Sequence, residues 1–305
     1  MANGTQNAIW NQLSKSFSGA IEALKDGVVA VQSGRNSTSS GVVWRPDILV
    51  TTHHNLFRRE GIKVHHGGEP LSANLIGADP ATDLAVLRVS SNKLTPVKST
   101  NSTANAGEVV LSIGRSRLGD ISASLGIIAR TGDAWRTWRG GRIDRLIRPD
   151  VQLYIGQSGS ALVNEQHQVL GINSPALARQ AVITIPAETI DRITDTILKH
   201  GHIPRPFLGI AMQPVAIPES VRSLFPADAE QALLVMHLEP KAPAALAGVM
   251  VGDLIVSANG DSIDNIRDFL HWLSALRVGD TIALALIRGG AKIDLMVTVA
   301  DRSET

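Results

Sequence analysis

The sequence predicts a mainly β protein in which a barrel or sandwich of strands is followed by a smaller α+β domain. Short apolar runs separated by turn residues recur through the first two thirds of the chain, with no helical pattern between them. In the last third, similar runs alternate with an amphipathic helical pattern. A length of 305 residues is sufficient for two domains, each with its own core.

The composition excludes several classes of protein. Hydrophobic residues make up 44% of the chain, and 29 basic residues nearly balance 28 acidic ones, so no global charge draws it to nucleic acid or lipid. The absence of cysteine excludes disulfides, thiol catalysis and thiolate metal sites. No apolar run is long enough to span a bilayer, and polar residues interrupt the N-terminal segment too often for a secretory signal. We expect a cytoplasmic location if Met1 is the natural start, and a periplasmic one if the chain has been trimmed.

Residues 1–26 are predicted to form an N-terminal helix or arm. Over residues 8–25, apolar side chains recur at every third or fourth position, which places them on one face of an amphipathic helix. That face either packs on its own domain or contacts a neighbouring subunit. It consists of Trp10, Leu13, Phe17, Ile21 and Leu24.

Residues 27–201 form the predicted first domain. The Arg-Pro-Asp run at 45–47 is typical of a tight turn between two strands. A helix begins after Pro186, and Gly201 is its stop signal. Two prolines deny regular structure to residues 202–206, which we interpret as a linker. Strands are predicted at 27–31, 41–44, 48–52, 62–66, 71–76, 84–89, 109–113 and 122–130.

Residues 207–301 form the predicted second domain. Its apolar residues over 266–276 recur at helical spacing, and a shorter helix is predicted at 242–246. The pair Asn259-Gly260 is typical of a hairpin turn at the end of a strand. Strands are predicted at 233–235, 252–258, 281–287 and 293–299, with another after the run at 207–210.

A candidate nucleophile lies in the segment 156–162, where Ser158 stands between Gly156 and Gly159, just before a strand-like run. Glycine allows a tight turn and the close approach of another group. A nucleophilic serine needs such a turn, because its Oγ must stand clear of the backbone while nearby N–H groups point at the developing oxyanion. Glycine and serine are also common in ordinary turns. The segment therefore predicts a catalytic serine only if a base and an acid accompany it.

His54 and Asp83 are the candidate base and acid. His54 follows the end of one predicted strand and Asp83 precedes another, so the order along the chain is His, Asp, Ser. That order occurs in the catalytic triad of double β-barrel proteases. His54 is one of nine histidines and Asp83 could simply cap a turn, but the combination with Ser158 favours a triad.

Adjacent histidines raise the alternative of a metal site. The pairs His53-His54 and His65-His66 each lie on or next to a predicted strand. Neighbouring residues on a strand point to opposite faces, so such pairs chelate poorly. We predict no metal site and no cofactor.

Residues 130–148 combine Trp135 and Trp138 with a Gly-Gly pair and interleaved arginines. These are Arg136, Arg139, Arg142, Arg145 and Arg148. This composition indicates a hairpin or loop with a basic, aromatic surface. Its tryptophans could pack on the barrel, or the surface could bind nucleic acid by stacking and phosphate contacts, although the balanced net charge argues against nucleic acid. Our hypothesis is a regulatory or subunit-contacting loop.

Four segments together resemble the HtrA (Deg) family of serine proteases. Residues 50–56 are similar to that family's V-T-N-N-H-V-V, and 79–87 to D-P-x-T-D-L-A-V-L. Residues 156–164 are similar to G-N-S-G-G-P-L-V-N, and 169–173 to V-I-G-I-N. The resemblance implies a trypsin-like double β-barrel protease domain followed by a PDZ domain, with no cofactor.

The resemblance also implies roles for individual residues. Ser158 is the implied nucleophile, His54 the base and Asp83 the orienting acid. The backbone N–H groups of Gly156 and Ser158 would form the oxyanion hole. The run 243–255 is similar to a PDZ domain of the HtrA type, which makes the loop of Phe207, Leu208, Gly209 and Ile210 the implied site for a peptide C-terminus.

The implied function is a serine endopeptidase that cleaves unfolded or damaged proteins and assembles as a homotrimer or larger. Gln157, Ser160 and Ala161 replace the family's Asn, Gly and Pro, and the run 153–155 lacks its common Asn-Pro. These departures lie beside the oxyanion hole and the primary specificity pocket. They motivate the alternative of a catalytically weak, PDZ-containing scaffold or chaperone-like holdase.

Overall fold

The computed structural model describes residues 2–34, 37–116, 119–225, 229–263 and 265–302. The chain divides into two compact units, Met1–Ile203 and Pro204–Thr305. No helix in the described part of the chain has the length and apolar composition needed to cross a membrane.

The first unit begins with helix α1, Ala2–Leu24. Its last turns pack on the unit's core, because Ala20 and Leu24 are buried there. Earlier in the helix the apolar face is open to solvent, where Trp10 is 69% exposed. The helix therefore packs on its own domain only through its C-terminal half.

Six strands form a closed antiparallel barrel in the order β1-β2-β3-β6-β5-β4. Valine, isoleucine and leucine alternate inward along these strands and fill the barrel. The strands are β1 (Val28–Gln32), β2 (Thr38–Arg45), β3 (Ile48–Thr52), β4 (Ile62–His65), β5 (Leu71–Asp79) and β6 (Leu84–Arg88).

Six further strands form a second closed barrel in the order β11-β14-β13-β12-β7-β8. A separate two-stranded hairpin, β9–β10, lies between β8 and β11 in the chain. The elements are β7 (Val109–Arg115), β8 (Ile121–Gly132), β9 (Trp135–Arg136), β10 (Arg142–Ile143), β11 (Leu146–Asp150), β12 (Ala161–Val163), β13 (Val169–Ser174) and β14 (Ile183–Pro186).

Each of the eight strands predicted in this region is present, with ends displaced by a few residues. The predicted mainly β, double-barrel architecture is confirmed by the two closed sheets. A buried apolar cluster runs across both barrels and both helices of the unit, so the two barrels share part of their core.

Helix α2, Ala187–His200, contacts strands of both barrels. Gly201 ends it in the left-handed conformation, with φ 78°, and donates its N–H to the Ile197 carbonyl at 2.7 Å. A Cβ on Gly77 of β5 would lie 2.3 Å from the Gly201 carbonyl oxygen, so the close approach of this helix end requires glycine. Trp44 on β2 also donates its indole N–H to Asp191 at 2.7 Å.

Arg115, the last residue of β7, links the second barrel to the first. Its buried guanidinium donates to the carbonyl oxygens of Val28 and Gly119, each at 2.6 Å, and to that of Lys25. One side chain thus satisfies backbone acceptors from the end of the N-terminal segment, from β1 and from the turn after β7.

The second unit contains an antiparallel sheet in the order β16-β17-β18-β20-β21, with β19 paired to β18, the α-helices α3 and α4, and a 3₁₀ helix, Glu219–Leu224. Phe269 on α4 is at the centre of its core. The elements are β15 (Pro206–Phe207), β16 (Ile210–Ala216), β17 (Gln231–Leu238), α3 (Pro243–Leu246), β18 (Leu254–Ala258), β19 (Asp261–Ser262), α4 (Ile266–Ala275), β20 (Thr281–Arg288), β21 (Ala291–Thr298) and β22 (Ala300–Asp301).

Candidate active site

His54 lies where β3 leaves the first barrel. β3 is completely buried between β2 and β6, and it ends at Thr52. One turn of 3₁₀ helix, His53–Asn55, follows and carries His54 out of the sheet. The imidazole is 29% exposed, so it stays accessible to a substrate while its base is fixed by the barrel.

Asp83 is buried beside His54, and both of its carboxylate oxygens accept hydrogen bonds. Oδ2 accepts from His54 Nδ1 at 2.8 Å and from Ser174 Oγ at 2.6 Å. Oδ1 accepts from the His54 backbone N–H at 2.9 Å. Because Asp83 accepts a hydrogen bond from Nδ1, that nitrogen carries the proton of neutral His54, and Nε2 presents a lone pair.

The backbone around Asp83 is unusual because the residue adopts a left-handed φ of 60°. Asp79 builds the preceding turn by accepting from the Ala81 N–H at 3.1 Å and from the Thr82 hydroxyl at 2.7 Å. The Asp83 carbonyl in turn accepts from the His53 N–H at 3.0 Å. Non-glycine residues rarely adopt this conformation, and it persists only where the surrounding structure supports it. Here these hydrogen bonds support it and orient the carboxylate towards His54.

Ser158 stands on a turn that the first barrel holds from the other side. Ser40 on β2 donates its N–H to the Ser158 carbonyl at 2.8 Å and its hydroxyl to the Gly156 carbonyl at 2.9 Å. Thr51 on β3 donates its hydroxyl to the Ser40 carbonyl at 2.7 Å. The nucleophile turn of the second barrel is thus attached to the two strands that lead to His54.

The candidate oxyanion hole has free donors. Gly156 has φ 89°. Across the described ranges of the chain, neither the Gly156 N–H nor the Ser158 N–H donates to a protein acceptor, whereas the intervening Gln157 N–H bonds the Tyr154 carbonyl at 3.0 Å. Two unpaired N–H groups flanking a serine nucleophile can stabilise an oxyanion.

Gln157, which departs from the family pattern, stabilises this loop. Its buried amide accepts from the Tyr154 N–H at 2.9 Å and donates to the Ser122 hydroxyl on β8 at 2.8 Å. The longer side chain therefore ties the run before Ser158 to the second barrel, in a segment that lacks the usual Asn-Pro.

The relay between Ser158 and His54 is open in this structure. Within the described residues, the Ser158 hydroxyl makes no hydrogen bond to His54. In proteases without substrate this bond is often long and tightens on binding. The structure joins His54 to Asp83 directly and attaches the Ser158 turn to β2 and β3 through Ser40 and Thr51.

The structure adds residues that the sequence did not single out for this site. Ser174 supports Asp83, and Ser40 supports the nucleophile turn. Behind them a fully buried network links four side chains, in which the Ser160 hydroxyl lies 2.9 Å from that of Ser112 and accepts from Asn173 at 3.1 Å. Thr184 completes the network by donating to Asn173 at 2.7 Å. The Ser160 hydroxyl therefore makes hydrogen bonds to Ser112 and Asn173 that a glycine at this position could not make.

The neighbouring His53 is not part of this relay. Burial, as the main cause, lowers the pKa of His53 below its usual value, so it is neutral at neutral pH. In the described part of the chain, no group of three His, Cys, Asp or Glu side chains is arranged to hold a metal ion.

A cavity of about 530 Å³ lies between the run that precedes Ser158 and the run that follows Ser174. Apolar side chains, among them Val151, Leu153 and Val182, line about half of it, and Arg148, Asp150 and Gln180 line much of the rest. A cavity of this mixed lining can hold a side chain of a substrate.

Comparison with known proteins identifies the family. The trypsin-like peptidase domain matches residues 39–172, and the PDZ domain matches residues 206–299. The serine protease Do-like HtrA of Lactobacillus helveticus is 30% identical over 284 residues, which cover 86% of this chain and 68% of that protein. This chain belongs to the HtrA family of serine proteases. The predicted family and its PDZ domain are confirmed.

Other HtrA proteins show the same similarity. Serine protease Do-like HtrB of Bacillus subtilis is 30% identical over 288 residues, covering 87% of this chain but 63% of HtrB. The chain thus spans less than two thirds of the length of HtrB. Among solved structures, the serine endoprotease from Yersinia pestis matches with a TM-score of 0.67 and 26% identity over 93% of this chain and 97% of that one. HtrA-type protease AlgW with tripeptide matches with a TM-score of 0.61 and 27% identity over 94% and 97%.

The geometry of the nucleophile turn generates a stability prediction. Gly159 has φ 83°, and a Cβ there would lie 2.2 Å from the Ser40 carbonyl oxygen. We expect Gly159→Ala to destabilise the protein by about 3 kcal/mol, from the left-handed backbone and the steric overlap together. The measurement is urea unfolding followed by tryptophan fluorescence.

Gly140→Ala is the matched control, because Gly140 has φ 81° but nothing within 4 Å of a Cβ. It should cost only about 1 kcal/mol. Equal losses of stability in the two variants would show that the contact with Ser40 is not tight.

Proposed function

We propose that this chain is a serine endopeptidase that cleaves unfolded polypeptides through an acyl-enzyme on Ser158. The observation that carries the proposal is the Asp83–His54 hydrogen bond of 2.8 Å, which leaves Nε2 of His54 available to take a proton. The unpaired N–H groups of Gly156 and Ser158 in the described part of the chain support it. The family membership of the chain supports the same activity.

In the proposed mechanism Ser158 Oγ attacks the substrate carbonyl while Nε2 of His54 takes the hydroxyl proton. Asp83 stabilises the imidazolium that forms. The N–H groups of Gly156 and Ser158 donate to the oxyanion, and one such donor contributes about 3 kcal/mol to transition-state stabilisation. His54 then gives its proton to the leaving amine, and water hydrolyses the ester by the same steps. No cofactor takes part.

The substrate is proposed to bind in an extended form, which favours unfolded polypeptides. We expect the substrate to pair near Ile172, Asn173 and Ser174. The backbones of Ile172 and Asn173 already have partners on β12 or its preceding turn and on β14. An extended substrate would therefore pair beyond Ser174, at the end of β13. We propose that the side chain before the cleaved bond enters the cavity that Leu153 and Val182 help to line.

The PDZ domain is proposed to bind peptide C-termini. β16 is an edge strand, and α4 lies against it. The carbonyls of Leu208 and Gly209 are occupied by the N–H groups of Ala244 and Glu239, at 3.0 and 2.9 Å. Within the described residues the N–H groups of Leu208 and Gly209 have no protein acceptor outside the strands, so the loop Phe207–Ile210 can hold a carboxylate while the peptide adds to β16.

Assembly as a homotrimer or larger is part of the same proposal, and it rests on family membership. The second candidate function, a catalytically weak scaffold or holdase, is favoured by the open relay between Ser158 and His54. The next experiment separates the two.

We predict that Ser158→Ala lowers the rate of casein cleavage by about 10⁶-fold, because the nucleophile is lost. Gel electrophoresis of β-casein with the wild type and the variant is the measurement, and Ser262→Ala, at an exposed serine of β19, is the control. Casein left intact by the wild type, or cut equally by Ser158→Ala, would exclude the peptidase and leave the holdase.

The proposed role of the loop Phe207–Ile210 predicts a preference for peptides with a free C-terminal carboxylate. In the Ser158→Ala background, a fluorescein-labelled decapeptide ending in Leu-Val with a free carboxylate should bind at least ~10-fold more tightly than its C-terminal amide, because the amide loses charge-assisted bonds to the loop. Fluorescence anisotropy gives both affinities. Equal affinities of the two peptides would mean that this loop does not read the C-terminus.

A further inference from the structure

The hairpin β9–β10 packs on the segment that leads into Asp83. Thr137, between its strands, is buried and donates its hydroxyl to the Ala81 carbonyl at 2.7 Å. Gly141 lies against the same residue so closely that a Cβ on it would meet the Ala81 carbonyl oxygen at 2.5 Å. Since Ala81 is two residues before Asp83, the hairpin tip is fixed at the edge of the active site.

The fixed tip presents two exposed side chains, Trp138 and Arg139. Trp138 is 75% exposed, although it is one of the largest apolar side chains of the protein. The Arg139 guanidinium stacks over its ring, 4.5 Å from the ring centre. This contact, together with a hydrogen bond of 3.4 Å from one Arg139 nitrogen to the Pro80 carbonyl, holds the cation in a defined place.

The charge of Arg139 is uncompensated. Among the residues that the structure describes, no carboxylate lies within 4.0 Å of the Arg139 or the Arg59 guanidinium. Burial is the largest cause that lowers the pKa of His53, Asp83 opposes it, and the smaller effects of Arg139 and Arg59 act in the same direction as burial. The exposed guanidinium of Arg139, unpaired within the described residues, can therefore attract an anionic side chain.

We propose that Trp138 and Arg139 form a substrate subsite that binds a Glu or Asp side chain of the extended polypeptide, on the N-terminal side of the cleaved bond. The inference rests on the proposed peptidase function. Ser174, beyond which the substrate would pair, donates its hydroxyl to Asp83 at 2.6 Å. The hairpin contacts Ala81, two residues before Asp83, so both features meet the segment that carries Asp83. A carboxylate there can accept two N–H bonds from the guanidinium, while its methylene groups pack on the indole.

The test uses internally quenched peptides that span the main wild-type cleavage site in β-casein. Each of the three residues at the second to fourth positions before the cleaved bond is replaced in turn by Glu, Gln or Lys. For the wild type we expect one position at which Glu raises kcat/KM about fivefold over Gln, the upper range for an exposed ion pair. The preference should fade as the salt concentration rises from about 0.05 to 0.5 M.

Two variants assign the preference to Arg139. Arg139→Gln should reduce the Glu-to-Gln ratio to about 1, and Arg139→Glu should invert the preference in favour of Lys. Arg130→Gln, at an exposed arginine of β8 away from the tip, is the control and should keep the wild-type ratio.

Each Glu-to-Gln ratio of kcat/KM compares two peptides with the same enzyme preparation. A variant that is only partly folded lowers both rates equally and leaves the ratio unchanged. The proposal is overturned if the wild type cleaves all peptides at equal rates, or if Arg139→Glu lowers every rate alike, as a subunit contact would. Failure of the wild type to cleave any peptide, or casein, would instead overturn the proposed peptidase function.

Discussion

The Asp83 carboxylate is the constraint on which the rest of the site depends. It is a buried charge, and a buried charge is tolerated only when hydrogen bonds satisfy it. Donors from three places meet on it: the backbone of His54, the imidazole of His54 and the hydroxyl of Ser174. The first two belong to one barrel and the third to the other. The group that orients the base therefore also fastens the two barrels together at the seam.

Around this carboxylate the fold supplies rigidity from both sides. Ser40 attaches the nucleophile turn to β2, and the buried network of Ser160, Asn173 and Thr184 attaches it to the second barrel. A fully satisfied polar network of this kind fixes geometry more than it adds stability. The hairpin β9–β10 is attached to the segment before Asp83 by the hydrogen bond from Thr137 to Ala81. This bond places a surface rich in tryptophan and arginine next to that segment.

The strand-length apolar runs predict a barrel or sandwich because their signal is local. The short motifs around His54, Asp83 and Ser158 carry the family resemblance, which implies the double barrel that the structure has. The supports could not be predicted in this way. Ser174 and Asp83 are 91 residues apart, and Ser40 and Gly156 are 116 apart, so nothing local marks either pair. The departure at Gln157 raised the question of a distorted loop, and only its buried bonds to β8 show how the loop is held.

The most direct test is a crystal structure of the protein after reaction with a fluorophosphonate. We expect a single covalent bond to Ser158 Oγ, with the phosphoryl oxygen about 3 Å from the N–H groups of Gly156 and Ser158. The imidazole of His54 should remain bonded to Asp83 through Nδ1. Absence of the adduct, or an adduct whose phosphoryl oxygen points away from both N–H groups, would contradict the proposed mechanism.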